Sequence, residues 1–266
     1  MSKIGQAISE IQTLESVSKE DTWLNRIHPL SKLILTVFYI AVTVSFHKYD
    51  LFGLFAMILY PAVVFMVGEL SFKDALRRLR IVLPLVLIMG VLNPFFDRTP
   101  LLKLGNIAVS GGVVSMVTLM IKAVLTVLAG YLLIATTSIE KICYALRLIH
   151  VPKIFVTVVL LIYRYISVLL SEAHRITEAY SLRAPRQKGV HYKVWGSLLG
   201  QMLIRSMDRA GVIYESMQLR GFSGDFGPGK KEKAKTSDFL WPVIWCGIII
   251  LFRLFPVIRL LGSLFV

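Results

Sequence analysis

The sequence predicts an all-α integral membrane protein with about five transmembrane helices and a cytoplasmic helical module. Three observations support this fold class: a mean hydropathy of +0.69, apolar segments of near-bilayer length, and basic residues gathered in a few polar segments. With 56% hydrophobic and 17% charged residues, the chain is far more apolar than a soluble domain of its length. The net charge of +14 therefore indicates cytoplasmic loops of a membrane protein and no nucleic-acid partner.

Apolar segments locate the helices, since one crossing takes roughly 17–25 residues. In chain order they are 29–46, 51–68, 81–96, 107–136, 153–171 and 239–264. The fourth segment is too long for one perpendicular span, so we expect it to tilt or to begin outside the hydrocarbon. The polar N-terminus lacks the apolar core of a signal peptide, so we expect the first membrane helix to remain in the mature protein and the N-terminus to stay in the cytoplasm.

The distribution of Lys and Arg tests this count, because short cytoplasmic loops are enriched in them. Segments 1–28, 69–80, 137–152 and 172–238 hold three, four, two and twelve, whereas 47–50 and 93–106 hold one and two. Four alternating crossings fit this pattern, but a further crossing by 153–171 would put twelve basic residues outside. We therefore expect 153–171 to lie at the cytoplasmic face as an apolar helix, which leaves five crossings rather than six.

This topology predicts three regions. Residues 1–136 hold the cytoplasmic N-terminal segment and transmembrane helices 1–4, residues 137–238 form the cytoplasmic module, and residues 239–266 form the last transmembrane helix. Within the module we expect a short amphipathic helix that stops at Pro152, followed by two long crossed helices. The first of these runs from Pro152 to about Arg183, and the second from about Val194 to Arg220.

The two long helices end alike, in Leu182-Arg183-Ala184 and Leu219-Arg220-Gly221, each with a glutamate upstream, Glu178 and Glu215. A single basic residue at a helix C-terminus is an ordinary feature, which the helix dipole favours by about 0.3–1 kcal/mol. Two planar, bidentate donors at two helix tips instead favour docking into acidic grooves of a partner.

Other residues of the second long helix are expected to support this arrangement. Arg205, Asp208 and Arg209 lie on one stripe, and the Gly196-x-x-x-Gly200 spacing permits close helix crossing. Lys122 lies inside the fourth apolar segment, where a lysine costs roughly 2.5–3.5 kcal/mol on insertion scales. The sequence leaves its role open between snorkelling to the membrane surface and a functional site.

No pattern of catalytic or metal-ligating residues is present. The acidic residues lie outside the apolar segments, Cys143 and Cys246 are far apart, and no two of the five histidines are three or four residues apart. The chain also lacks a GxxxxGK[ST] phosphate loop, HExxH and GxSxG. The sequence therefore predicts no catalytic residue, no metal site and no cofactor in this chain.

The chain resembles the transmembrane T component of energy-coupling factor (ECF) transporters, in the cobalt and nickel branch of the CbiQ type. The two x-Arg-x signatures of that family match the tripeptides around Arg183 and Arg220, although Leu replaces Ala at both first positions and Ala184 replaces a third-position Ser. The similarity extends over "HPLSKLILT", "LNPFFDR", "ATTSIEKICYALRLIHVPK", "YRYISVLLSEAHRITEAYSLRA" and "RSMDRAGVIYESMQLRGFSG".

The resemblance implies a multi-pass protein of the prokaryotic cell (inner) membrane. It implies that Arg183 and Arg220 each enter a groove on one of two cytoplasmic ATP-binding cassette ATPases, and that ATP and Mg are bound by those subunits. It further implies a separate substrate-binding membrane subunit, an S component or CbiM-like protein, and transport of cobalt or nickel.

Two alternative functions stay open on the residues alone. A pore-forming permease of an ordinary ABC importer would use one short coupling helix, for which "SEAHRITEAYSLRAP" could serve. A membrane enzyme acting on lipid could hold phosphate head groups with Lys122, Arg164 and the basic module. The presence of a second long helix, which ends in its own Leu-Arg-Gly, disfavours the permease. The lack of clustered acidic or histidine residues disfavours the enzyme.

Overall fold

The computed structural model describes residues 9, 22–96, 100–104, 107–184, 189–224, 226 and 236–254. The chain divides into two units, which we call the bundle unit (Val17–Ser138 and Glu232–Val266) and the module unit (Met1–Ser16 and Ile139–Lys231). Among the described residues, two helices, Gly111–Thr136 and Lys153–Arg183, are long and apolar enough to cross a membrane. This predominantly helical, apolar architecture is that expected of a membrane protein.

Most described helices of the bundle unit lie on the predicted apolar segments. The helix on segment 81–96 begins nine residues earlier, at Phe72, and a short helix at Trp23–Arg26 precedes the first segment. The described helices are α1 (Trp23–Arg26), α2 (Pro29–Ser45), α3 (Leu51–Met57), α4 (Leu59–Gly68), α5 (Phe72–Phe96), α6 (Gly111–Thr136) and α10 (Thr236–Leu254). The predicted last helix extended to about 264, and its part beyond Leu254 lies outside the described residues.

A two-stranded antiparallel hairpin joins α5 to α6. It pairs β1 (Pro100–Leu104) with β2 (Ile107–Ser110), with Leu104 opposite Ile107. The prediction of helices is confirmed, and this hairpin is an additional element that the sequence did not reveal. It also explains the over-long apolar segment 107–136, because its first four residues form a strand and the helix begins only at Gly111.

The predicted span 51–68 is two helices because of a proline. Pro61 has no N–H, so the carbonyl of Met57, four residues earlier, has no helical donor. The chain turns at Ile58, and the fully buried Tyr39 donates its hydroxyl to the Met57 oxygen at 2.9 Å. The contact satisfies a backbone group that would otherwise be costly to bury in an apolar bundle.

Lysines connect α2 and α6 at both ends of their contact. Lys32 Nζ donates to the Thr136 carbonyl oxygen at 2.8 Å, at the C-terminal end of α6. Lys122 Nζ donates to the carbonyl oxygens of Val44, at 3.0 Å, and of Phe46, at the C-terminal end of α2. Each lysine therefore binds carbonyls that helix geometry leaves without a donor, where the helix dipole is negative.

Aromatic side chains join four helices of the bundle unit. Tyr39 and Tyr60 have ring centroids 4.7 Å apart, and Tyr60 meets Trp245 edge-on at 5.2 Å. Trp245 contacts Trp241 at 5.7 Å, and Trp241 contacts Trp23 at 5.1 Å. Such offset or edge-to-face pairs contribute about 0.5–1.5 kcal/mol each beyond their burial, so α1, α2, α4 and α10 are held as one packed group.

The helices α5 and α6 form a further close pair. Asn93 Nδ2 donates to Ser115 Oγ at 3.2 Å, and a Cβ at Gly90 would lie 3.2 Å from Met116 Cγ. A small residue and an interhelical hydrogen bond at one interface are typical of helix packing in membranes.

Within residues 139–224 of the module unit, the described elements are three helices and a 3-10 turn. They are α7 (Ile139–Leu148), α8 (Lys153–Arg183), the turn Tyr192–Val194 and α9 (Trp195–Leu219). The predicted bounds of α8 and α9 are confirmed to within one or two residues. At 1.5 Å per residue, α8 is about 46 Å long and α9 about 37 Å long.

Candidate partner-docking site

Both predicted docking tripeptides lie at exposed helix tips, which we call the α8 tip (182–184) and the α9 tip (219–221). Leu182 is 78% exposed and Leu219 is 90% exposed, beside the exposed Arg183 and Arg220. A single exposed leucine needs no explanation. Here each tip presents a leucine and a guanidinium together, which is a combination that can fill a small apolar pocket and pair with a carboxylate.

The α9 tip is closed by a Schellman motif. Gly221 has φ +79° and donates its N–H to the Gln218 oxygen at 2.9 Å, while the N–H of Phe222 reaches the Met217 oxygen at 2.9 Å. Gly221 therefore follows the C-cap Arg220 in the left-handed conformation that glycine adopts without strain. The turn fixes the direction in which the chain leaves the tip.

An aromatic contact at this turn was not identified by sequence reasoning. Phe222 and Phe226 have ring centroids 5.0 Å apart, and Arg147 Nη1 of α7 donates to the Phe226 carbonyl oxygen at 2.8 Å. The spacing of the two aromatic residues in "GFSGDF" was a visible signal, whereas the contact with Arg147, 79 residues away, was not.

The α8 tip ends differently. Ala184 is the C-cap, with φ −127° and ψ 62°, and its N–H donates to the Tyr180 oxygen at 3.0 Å. This position needs no left-handed residue. The stop expected from Pro185 lies outside the described residues.

Neither tip arginine contacts a carboxylate within the part of the chain that the structure describes. The upstream glutamates Glu178 and Glu215 are exposed, and neither forms an ion pair there. The two guanidinium groups are thus exposed to solvent. A planar guanidinium in this position can form a bidentate bond with a carboxylate.

The two long helices meet at an ion pair. Arg205 Nη1 of α9 donates to Glu172 Oε1 of α8, with Arg205 60% exposed and Glu172 only 16% exposed. A groove of about 240 Å³ lies at this contact. It is lined by Leu169, Glu172, Met202, Arg205, Ser206, Asp208 and Arg209. All three residues of the predicted stripe, Arg205, Asp208 and Arg209, therefore line this groove.

The glycines of the predicted close-crossing motif are not at this contact. A Cβ built at Gly196 or Gly200 meets nothing within 4 Å among the described residues. Within the module unit, Arg205 and its neighbours contact α8 instead, because Arg205 lies one to two turns beyond Gly200 on α9.

Large apolar side chains cover much of the exposed surface of α8 and α9. On α8 they are Ile154, Phe155, Val158, Val159, Ile162 and Ile166, and on α9 they are Trp195, Leu199, Leu203, Ile204, Met207 and Val212. The two helices bury very few residues in the chain itself, namely Val156 and Thr157 on α8 and none on α9. Exposed apolar surface on this scale marks contact with lipid or with other proteins.

The described residues offer no site for metal chemistry, since no three His, Cys, Asp or Glu side chains among them lie close enough to hold an ion. Cys143 on α7 is buried, and burial raises the pKa of its thiol, with a smaller contribution from Glu140. A thiol of raised pKa is a poor nucleophile and a poor ligand, so the burial of Cys143 indicates a packing role on α7.

Known proteins resemble the chain over most of its length. A family model described as a cobalt transport protein, CbiQ, matches residues 20–232. The energy-coupling factor transporter transmembrane protein EcfT of Listeria innocua serovar 6a is 28% identical over 228 residues, which span 78% of this chain and 83% of that protein.

Two further relatives match shorter parts. The nickel permease LarQ of Lactiplantibacillus plantarum is 24% identical over 105 residues, 40% of this chain and 38% of that protein. A protein of Methanocorpusculum labreanum described as a fused cobalt transport protein, CbiMQ, is 34% identical over 95 residues, 35% of this chain and 16% of that protein.

Proposed function

Because this chain belongs to the CbiQ family of cobalt transport proteins, we propose that it is the transmembrane coupling (T) subunit of an ECF-type importer. In this role it transmits ATP-driven motion of two cytoplasmic ATPases to a separate substrate-binding membrane subunit. The chain itself is non-catalytic, and ATP and Mg are bound by the ATPases.

The observation that carries the proposal is the pair of helix tips in one unit. The α8 and α9 tips each present an exposed leucine beside an arginine, and neither arginine pairs with a carboxylate in the described part of the chain. An ATPase that offers an acidic groove can accept each tip, and two tips accommodate two ATPases. A single coupling helix, as in an ordinary permease, would leave the second tip without a function.

The proposed topology has five crossings and a cytoplasmic N-terminus. The crossings are α2, α3 with α4, α5, α6 and α10, and residues 137–238 stay in the cytoplasm. Helix α8 has the length and composition of a span. Its inclusion in the module unit with α7 and α9, and the twelve basic residues of 172–238, support a position at the cytoplasmic face instead.

In this arrangement α8 and α9 are crossed coupling helices. Their meeting point at Glu172 and Arg205 lies well inside both helices, as it does in a pair of helices that cross. The exposed apolar surface of both helices would then lie under the substrate-binding subunit and the bilayer. The supporting role of Glu178, Glu215, Gly196 and Gly200 would be at these partner contacts.

The proposed substrate class is a divalent transition metal, cobalt or nickel. The family description names cobalt, one relative is described as a nickel permease, and another as a fused cobalt transport protein. Selection of the metal would belong to the separate membrane subunit, an S component or CbiM-like protein, since this chain shows no group of ligands among its described residues.

A detergent pull-down from the host tests the proposal. The tagged wild type, the Arg183→Glu/Arg220→Glu variant and the control Arg175→Glu are compared, with every co-purifying subunit identified. Arg175 is an exposed residue of α8, two turns before the tip. We expect ATPases and a membrane partner with wild type and control, and no ATPase with the double variant. A double variant that retains its ATPases would contradict the proposal.

A further inference from the structure

The two residues of the ion pair between α8 and α9 differ in burial. Glu172 is mostly buried, beside Leu169 and Met202, whereas Arg205 is mostly exposed. Without Arg205, the carboxylate of Glu172 would remain in a partly apolar groove that it shares with Asp208 and Arg209, without its own ion-pair partner. Leaving a partly buried charge without its partner is more costly than losing an exposed pair, so this contact favours one relative position of the two helices.

The ion pair lies far enough from both tips that a small rotation of the helices at the pair would displace the tips by several ångströms. Glu172 precedes Arg183 by 11 residues and Arg205 precedes Arg220 by 15 residues. At 1.5 Å per helical residue the distances along the helices are about 16 Å and 22 Å. A rotation of about 10° at the contact would therefore move each tip by about 3–4 Å.

We propose that Glu172 and Arg205 are a positioning pair, which sets the angle between α8 and α9 and thereby the separation of Arg183 and Arg220. This inference rests on the proposed function, because the separation matters when each tip is seated on an ATPase. The ATPases move the tips, and the ion pair makes the two helices respond together. Without the pair, the tips still dock, but their motion is no longer transmitted from one helix to the other.

Spin labels at the tips measure this separation directly. Ser181 and Gln218 are exposed and precede the two arginines by two residues, so labels there point away from the docking side chains. The labels are placed as Ser181→Cys and Gln218→Cys in the full-length chain with Cys143→Ala and Cys246→Ala. Distances are recorded by pulsed electron paramagnetic resonance in the complex with its ATPases, without and with ATP.

Three variants make the test specific. Arg205→Gln removes the cation, Arg205→Lys keeps it, and Arg175→Gln removes a nearby exposed cation outside the pair. A lysine can replace Arg205 because the bond to Glu172 uses a single guanidinium nitrogen. We expect Arg205→Gln to broaden or shift the distance distribution by about 4 Å, and to abolish its change with ATP, while ATPase capture persists. Arg205→Lys and Arg175→Gln should resemble the wild type.

The outcomes separate this inference from the proposed function. A wild type that captures no ATPase contradicts the proposed function. A wild type that captures its ATPases, together with an unchanged distance distribution in Arg205→Gln, contradicts the positioning pair alone. Equal broadening in Arg175→Gln, or no recovery in Arg205→Lys, also contradicts it, because the effect would then not come from this ion pair.

Discussion

The bundle unit and the module unit use cations at helix C-termini in opposite ways. In the bundle unit, Lys32 and Lys122 donate to carbonyls at the ends of α6 and α2, and Arg253 Nη2 donates to the Ser45 oxygen at 3.0 Å. In the module unit, Arg183 and Arg220 stand at the ends of their own helices and make no such bond within the described residues.

This difference separates structural cations from cations that, in the proposed function, are available to a partner. A lysine that binds the last carbonyls of a neighbouring helix stabilises the fold, because those carbonyls have no other donor. An arginine beyond the last turn of an exposed helix adds little to the fold beyond a weak dipole interaction. We therefore expect substitutions of the structural cations in the bundle unit to change stability, and substitutions of the two tip arginines to change assembly.

The largest expected effect is on docking. Reversal of one tip arginine, Arg220→Glu or Arg183→Glu, should weaken ATPase binding at that tip, because truncating a buried interfacial charge pair costs roughly 2–5 kcal/mol. That cost corresponds to a loss of affinity of about 30- to several thousand-fold. Binding of purified ATPase to the immobilised chain measures it, and the thermal unfolding midpoint should stay at the wild-type value. A lowered midpoint would place the arginine among the structural cations.

The opposite result is expected for Lys122→Met. The carbonyls of Val44 and Phe46 would lose their donor, and a hydrogen bond to a charged group contributes about 1.5–3 kcal/mol. The unfolding midpoint in detergent should fall, with ATPase affinity per folded molecule unchanged. Lys73→Met, at an exposed position of α5, is the matched control. An unchanged midpoint for Lys122→Met would remove the lysine from the structural group.

A smaller effect distinguishes the two tips from each other. Gly221→Ala places a side chain at φ +79°, which costs an L-residue about 1–2 kcal/mol, although the added Cβ meets no atom within 4 Å. The α9 tip should lose about 5- to 30-fold in ATPase affinity if the turn rearranges. Ala184→Gly is the counterpart at the α8 tip, where φ is −127°, and should change affinity little. Equal effects at both tips would show that the Schellman turn has no part in docking.

The smallest effect concerns the third helix end of the module unit. His150 has φ +65° and closes α7 in the same type of turn, with Val151 N–H reaching the Leu146 oxygen at 3.2 Å. His150→Gly relieves left-handed strain of about 1 kcal/mol. The unfolding midpoint should rise slightly while ATPase binding stays unchanged. A change in binding without a change in stability would assign this histidine to the docking surface.

Several elements could be predicted from the sequence because their signals are local. The bounds of α8 and α9 follow from Pro152 and Gly221, and the tip tripeptides lie within single helix ends. The break between α3 and α4 had a visible cause in Pro61, but its consequence depended on Tyr39, which is distant in the sequence. The hairpin 100–110 joins two apolar helices, and its short strands carried no separate alternating pattern.

Long-range pairings could not be predicted, because local spacing along the sequence does not relate residues on different helices. Lys122 was an isolated cation in an apolar segment, and its partners at the C-terminal end of α2 lie 78 and 76 residues away. Glu172 and Arg205 are 33 residues apart on different helices, so helical spacing does not relate them. By contrast, Gly196 and Gly200 matched a common packing motif, yet the contact with α8 formed elsewhere on α9.

The central claim is that one chain seats two ATPases, one on each tip. Native mass spectrometry of the complex purified from its host measures this stoichiometry directly, for the wild type, each single tip variant and the double variant. We expect two ATPases per chain for the wild type, one for Arg183→Glu or Arg220→Glu, and none for the double variant. Two ATPases retained by the double variant, or a wild type that carries none, would contradict the claim.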